Sequence, residues 1–129
     1  MNTIRKGRLG YNIFEKFLLK ANWDIYVPIT EDTKVDAVII KGNKIYKVQI
    51  KTIITEHSYK KLPVRKINHN RNHYMINLYS ETDIDYFIGV DLDTEDVYIV
   101  PSAITSQYTN SICISKLQEF KNNIAQLEH

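Results

Sequence analysis

The sequence predicts an α/β domain with a central mixed β-sheet flanked by helices. Three observations carry that prediction. Phe14, Phe17, Leu18 and Ala21 recur at helical spacing. Residues 35–40 (VDAVII) and 44–53 (KIYKVQIKTI) are β-rich runs separated by Lys41-Gly42-Asn43, a hairpin signal. The remaining strand-like runs come as further hairpins rather than as regular βαβ alternation, so the sheet is mixed.

Taken in order, the first element is a helix over 8–22, which Asn22 closes. Trp23 to Pro28 reads as a strand, and the 35–53 hairpin follows. Residues 54–72 form a polar, basic connector with a short strand around Leu62 to Arg65. Residues 73–79 (HYMINLY) read as a strand or short helix. Residues 85–91 and 96–100 form a hairpin around Asp93-Thr94-Glu95, an acidic turn expected to be solvated. Residues 111–114 are a short strand. Ser115 then caps a last helix with Leu117, Phe120 and Ile124 on one face.

The chain has 129 residues, one domain at about 100–200 residues each. That domain spans 1–126, because Leu127-Glu128-His129 resembles an expression-tag scar. With 43% hydrophobic and 25% charged residues, 4 Gly and 3 Pro, the chain is neither disordered nor fibrous. It has no apolar run of the roughly 18 residues that span a bilayer, and no membrane association is expected. No secretory leader is legible and Cys113 stands alone, which predicts a cytoplasmic protein without disulfides.

The net charge of +2 hides an asymmetry. Residues 1–75 carry 15 Lys+Arg against 6 Asp+Glu, whereas residues 76–129 carry 2 against 9. A basic half suggests an anionic polymer as partner, nucleic acid first.

The 35–53 hairpin holds the chemistry. If Gly42-Asn43 is a two-residue loop, Lys41 pairs with Lys44, Ile40 with Ile45, Val38 with Lys47, and Asp36 falls opposite Gln49. Side chains alternate along a strand, so Asp36, Gln49 and Lys51 share one face. Val35, Ala37, Ile39, Tyr46, Val48 and Ile50 form the other, apolar face. A carboxylate and a carboxamide oxygen are hard donors suited to Mg²⁺. An ammonium beside them can offset charge developing on a phosphoryl group. An ordinary solvated strand face with an Asp–Lys pair stays open on this geometry.

Asp36 followed by Gln49-Ile50-Lys51 resembles the PD-(D/E)xK nuclease signature, in its variant with Gln at the middle acidic position. Lys6-Gly7 at the first helix, the strand ending in Pro28, and the later runs Ile84 to Phe87 and Val97 to Pro101 match as well. Over residues 5–101 the chain is similar to archaeal Holliday-junction-resolvase-like proteins and, more closely, to group I intron-encoded homing endonucleases of this superfamily. The resemblance implies a restriction-endonuclease-like αβββαβ core and a metal-dependent DNA endonuclease using Mg²⁺, with Mn²⁺ able to substitute. It implies Asp36 as principal metal ligand, Gln49 as a ligand through its amide oxygen, the Ile50 carbonyl as a further ligand, and Lys51 as the catalytic lysine. Relatives place a Glu on the first helix where this chain has Tyr11. Glu15, one turn later on the same face, is the candidate to supply that acid.

Lys60, Lys61, Arg65, Lys66 and Arg71 lie in an acid-free segment with Tyr59 and suit phosphate contacts, with Lys6 and Arg8 on the same track. One D…QxK face per chain against two antiparallel DNA strands predicts a homodimer or a dimer of dimers. Two other readings stay open: a weak or inactive DNA-binding module on this fold, and a small protein-interaction domain.

Overall fold

The computed structural model describes residues 1–30, 33–69, 74–78 and 84–129. Helix α1 runs Thr3–Lys20, opened by the Asn2 side chain accepting the Arg5 N–H. It begins five residues before the apolar periodicity predicts, because its first turns carry Arg5, Lys6 and Arg8 rather than core residues. Its C-terminus closes through Asn22 at φ 65°, with the Trp23 N–H bonded to the Leu18 carbonyl. This left-handed cap is the role the sequence assigns to Asn22.

Strands β1 (Asp24–Tyr26), β2 (Ala37–Lys41), β3 (Lys44–Thr52), β8 (Tyr86–Val90) and β9 (Val97–Pro101) form the central sheet in spatial order β1-β2-β3-β8-β9. Only β3 and β8 pair in parallel; the other neighbours are antiparallel. The mixed sheet is thus the predicted one. Between β3 and β8 lie β4 (Ile54–Glu56), β5 (Tyr59–Pro63), β6 (Arg65–His69) and β7 (Tyr74–Leu78). β4 and β5 join β10 (Ser111–Cys113) in a second sheet, and β6 pairs with β7.

Both faces of the central sheet are covered. α1 packs Phe14 and Leu18 against Ala37, Ile39, Val48, Ile88, Val90 and Ile99. Gly10 lets α1 approach closely: a Cβ there would stand 3.0 Å from Thr52 Cγ2. The opposite face carries a second core of Leu62, Val64, Ile84, Phe87, Tyr98, Val100, Ile112 and Leu117. Two apolar clusters on one sheet are why the Gln49 face is not the solvated face that strand alternation predicts. Val35 also packs into the second core rather than beside Ala37. The Asp36 N–H bonds to the Val48 carbonyl, one residue out of step with the ladder that ends at Ala37↔Val48.

The expected last helix is instead three 3-10 turns, Ile114–Lys116, Gln118–Phe120 and Ile124–Glu128. Asn122 adopts φ 52° and exchanges hydrogen bonds with Val97 along the β9 edge, which interrupts any helix. A four-residue helix α2 (Ser102–Thr105) follows β9, with no side-chain cap from Ser102. Leu127 is fully buried in the α1-side core, and Glu128 accepts from Trp23 Nε1 and Lys41 Nζ. These tag-like residues are therefore packed on the domain. Among the described residues no helix is long and apolar enough to cross a membrane.

Candidate active site

The β2–β3 hairpin sets the site. Its register is Lys41↔Lys44, Ile40↔Ile45, Ile39↔Tyr46, Val38↔Lys47 and Ala37↔Val48, as the Gly42-Asn43 loop predicts. Gly42 turns at φ 59°, a conformation that side chains with a Cβ resist. At the far end of this ladder, Asp36 leaves β2 and folds its carboxylate onto β3. Asp36 Oδ2 accepts the Ile50 N–H at 2.8 Å. A side-chain oxygen thus replaces the backbone acceptor that a longer β2 would have supplied. In an extended strand, the N–H and C=O of one residue point to the same side. The Ile50 carbonyl therefore projects toward the side that Asp36 occupies.

Gln49 precedes Ile50 on β3, and its side chain lies on the opposite face, that of Phe87. It is 6% exposed, and its Oε1 is buried without a hydrogen-bond partner. Leaving a buried amide oxygen unpaired costs about 1–3 kcal/mol. Lys51 pairs with Gly89 of β8 and is half-buried. Its side chain leaves the sheet on the Gln49 face at the next-but-one position. Asp85 anchors the other end of β3: its N–H bonds the Lys47 carbonyl and its Oδ2 accepts the Lys47 N–H, both at 2.8 Å.

An open cleft of about 570 Å³ lies between α1 and this hairpin end, lined by Ile4, Gly7, Arg8, Tyr11, Val27, Asp36 and Ile50. Ile4, Gly7, Arg8 and Tyr11 are one stripe of α1 at helical spacing. The Arg8 guanidinium lies over the Tyr11 ring, 5.4 Å from its centroid. Burial, then the Glu15 carboxylate, raise the Tyr11 phenol above its ordinary pKa, with Arg8 opposing them. Tyr11 is therefore a neutral hydroxyl at neutral pH.

The sequence matches the family model described as PD-(D/E)XK endonuclease over residues 1–127. The chain belongs to the PD-(D/E)XK endonuclease family. Its fold is also that of a solved structure titled as a bacterial homing endonuclease, I-Ssp6803I, with a TM-score of 0.80 at 21% identity, covering 88% of this chain and 78% of that one. No curated protein matches the chain at a significant level.

In this PD-(D/E)XK chain, Asp36 is joined to the Ile50 N–H, with Gln49 and Lys51 the residues of β3 on either side of Ile50. Glu15 is half-buried on α1 but is not among the residues lining the cleft; Tyr11 is. Arg8 lines the cleft, and Lys6 lines a neighbouring one of about 430 Å³ with Thr52, Lys60 and Asp91.

The basic segment is divided. Lys60 Nζ holds Asp91 Oδ2 at 2.7 Å and Asp93 Oδ2 at 3.5 Å. Asp91 is 4% exposed and also accepts the Asp93 N–H, so the expected solvated turn has a buried, paired base. Lys60 thereby latches the β4–β5 hairpin to the β8–β9 turn. Among the described residues Lys61 makes a half-exposed pair with Glu56 at 3.3 Å, a weak tie. Arg65 and Lys66 open β6. Arg71 lies outside the described residues. Among the described residues no group of three His, Cys, Asp or Glu is placed to hold a metal.

Sequence reasoning missed Tyr11 as a cleft residue and Asp91 as a buried anchor. The i, i+3, i+4, i+7 stripe from Ile4 to Tyr11 was the available signal for the first. For the second there was none, because the Lys60–Asp91 contact spans 31 residues.

Proposed function

We propose that this chain is a divalent-metal-dependent DNA endonuclease that uses Mg²⁺, with Mn²⁺ able to replace it. The observation that carries the reading is Gln49 Oε1, a buried amide oxygen with no partner, one residue along β3 from the Ile50 N–H that holds the Asp36 carboxylate. Protein interiors seldom tolerate such an atom unless it has work to do. Asp36, Gln49 Oε1 and the Ile50 carbonyl form a hard oxygen donor set that suits Mg²⁺. When bound there, a divalent cation supplies polarisation of a phosphoryl oxygen and an acidified water.

The chain's own residues do the rest. The Ile50 N–H fixes the orientation of the Asp36 carboxylate. Lys51 brings a positive charge to the Gln49 face, where it offsets charge developing on the phosphoryl group during hydrolysis. Lys6, Arg8, Lys61, Arg65, Lys66 and Arg71 supply phosphate contacts along the duplex, which set position without reading sequence. Two copies related by a two-fold axis, or a dimer of such dimers, would present two centres to the two antiparallel strands.

The test is nicking of supercoiled plasmid in Mg²⁺ or Mn²⁺, set against DNA binding in EDTA over a range of salt. Nicked or linear product in either metal and none in EDTA is expected, with Lys51→Ala inactive. Metal-independent binding without cleavage would leave a non-catalytic DNA-binding module. Neither cleavage nor binding would remove nucleic acid as the substrate and leave a protein-interaction domain.

A further inference from the structure

The cleft beside Asp36 has a wall that the D…QxK hairpin does not account for. Its α1 side is Ile4, Gly7, Arg8 and Tyr11, with Gly7 and Arg8 exposed and Ile4 81% exposed. A Cβ built on Gly7 meets nothing within 4 Å, so the wall is recessed midway along the stripe. On one side of the recess stands a guanidinium held over an aromatic ring. Such stacking restricts the guanidinium plane while leaving its N–H edge available. Below it, the Tyr11 hydroxyl donates no hydrogen bond to any described residue. Across the recess lies Asp36, the single carboxylate among the lining residues.

These features fit a phosphodiester oxygen better than they fit a second cation. A second cation in this cleft would meet one carboxylate, already engaged by the Ile50 N–H, and a guanidinium of like charge. A phosphate oxygen would meet an oriented guanidinium and a neutral hydroxyl donor. At neutral pH the raised phenol keeps its proton, which a carboxylate at that position would lack.

We infer that Tyr11 and Arg8 form a phosphate grip, the guanidinium taking one non-bridging oxygen of the DNA backbone and the Tyr11 hydroxyl donating a hydrogen bond beside it. The grip rests on the reading of the Asp36 end of the hairpin as the nuclease centre. It gives this chain substrate affinity that does not require metal, at the position where relatives place an acid.

The experiment measures binding of a fluorescein-labelled duplex in EDTA at fixed salt, with single-turnover cleavage in Mn²⁺ alongside. Tyr11→Phe keeps the ring and the Arg8 stack and removes only the hydroxyl. It is expected to lose roughly tenfold in metal-free affinity, the scale of a hydrogen bond to a charged group. Arg8→Ala should lose at least as much and lower the slope of log K against log salt by about 0.9, which Arg8→Lys restores without restoring full affinity. Tyr11→Glu should bind metal-free DNA more weakly than Tyr11→Phe, because it sets a carboxylate against the phosphate. If Tyr11→Phe and Tyr11→Glu both match the original chain in EDTA, the grip is refuted, whatever the cleavage result. Loss of affinity in these variants together with no cleavage by the unaltered chain would support the grip and overturn the nuclease reading alone. Thermal melts of each variant within a few degrees of the original exclude unfolding as the cause.

Discussion

Gln49 gives the sharpest link between stability and chemistry. Its Oε1 is buried and unpaired, a state that costs about 1–3 kcal/mol. Methionine has similar length and volume and needs no partner at that atom. In metal-free buffer Gln49→Met should therefore be more stable than the original chain by about 1 kcal/mol, after allowance for imperfect packing of the sulfur. For a chain of this size that is a rise of roughly 3–5 °C in melting temperature. Metal should reverse the order. A cation that binds only the folded state adds RT ln(1 + [L]/Kd), about 1.4 kcal/mol at ten times Kd. The original chain should gain this and Gln49→Met should not. The assay is urea denaturation of both proteins in EDTA and in saturating Mg²⁺, with midpoints compared at unchanged m-value. A Gln49→Met protein that is less stable by more than about 1 kcal/mol in EDTA would mean that Oε1 is not a stored cost. Equal Mg²⁺ stabilisation of both proteins would mean that Gln49 is not a ligand. Gln49→Glu should behave in the opposite sense, with tighter metal binding and lower metal-free stability, because it puts a charged carboxylate where the unpaired amide oxygen is buried.

Two further outcomes follow from the packing. Phe14, fully buried between α1 and the sheet, should cost about 3–5 kcal/mol on truncation to alanine; a loss below about 1 kcal/mol by urea denaturation would misplace α1. Asp91 carries an acid-dependent contribution. Burial, the largest influence, pushes its pKa up, but the Lys60 hydrogen bond and the Asp93 and Thr94 backbone N–H groups together hold it below its ordinary 3.8. A depressed carboxyl contributes stability that is present above its unfolded pKa and lost as pH falls through the folded value. Asp91→Asn should thus flatten the fall in urea midpoint below about pH 4. An unchanged acid limb would show that the Lys60–Asp91 latch contributes nothing.

The hairpin was legible because its information is local. Gly42 and Asn43 fix the loop, the loop fixes the register, and the register holds as far as Ala37↔Val48, the pair just before Asp36 folds onto β3. Asn22 was legible for the same reason, since a left-handed cap needs a small polar residue at one position. What the pattern could not carry was long-range. Alternation alone made the Gln49 face solvated, because nothing near it in sequence announces that Leu62, Tyr98 and Ile112 will cover it. Leu117, Phe120 and Ile124 keep helical spacing, yet Asn122 spends its backbone on the β9 edge, and the spacing is met by 3-10 turns. Lys60 looked like one of five equivalent cations until the fold brought Asp91 to it. Tyr11 was visible as a departure from the family pattern, but its pairing with Arg8 over a recess at Gly7 needed the helix to be seen against the hairpin end.

The central claim is that the Asp36 end of this hairpin hydrolyses DNA, and single-turnover plasmid cleavage in Mg²⁺ by the original chain and by Asp36→Asn tests it most directly. Asparagine keeps an oxygen able to accept the Ile50 N–H, so the local fold is retained and only the negative charge is removed. Cleavage by the original chain, abolished in a folded Asp36→Asn protein that still binds DNA in EDTA, is the predicted result. Cleavage by Asp36→Asn at near the original rate would contradict the claim and place the chemistry elsewhere.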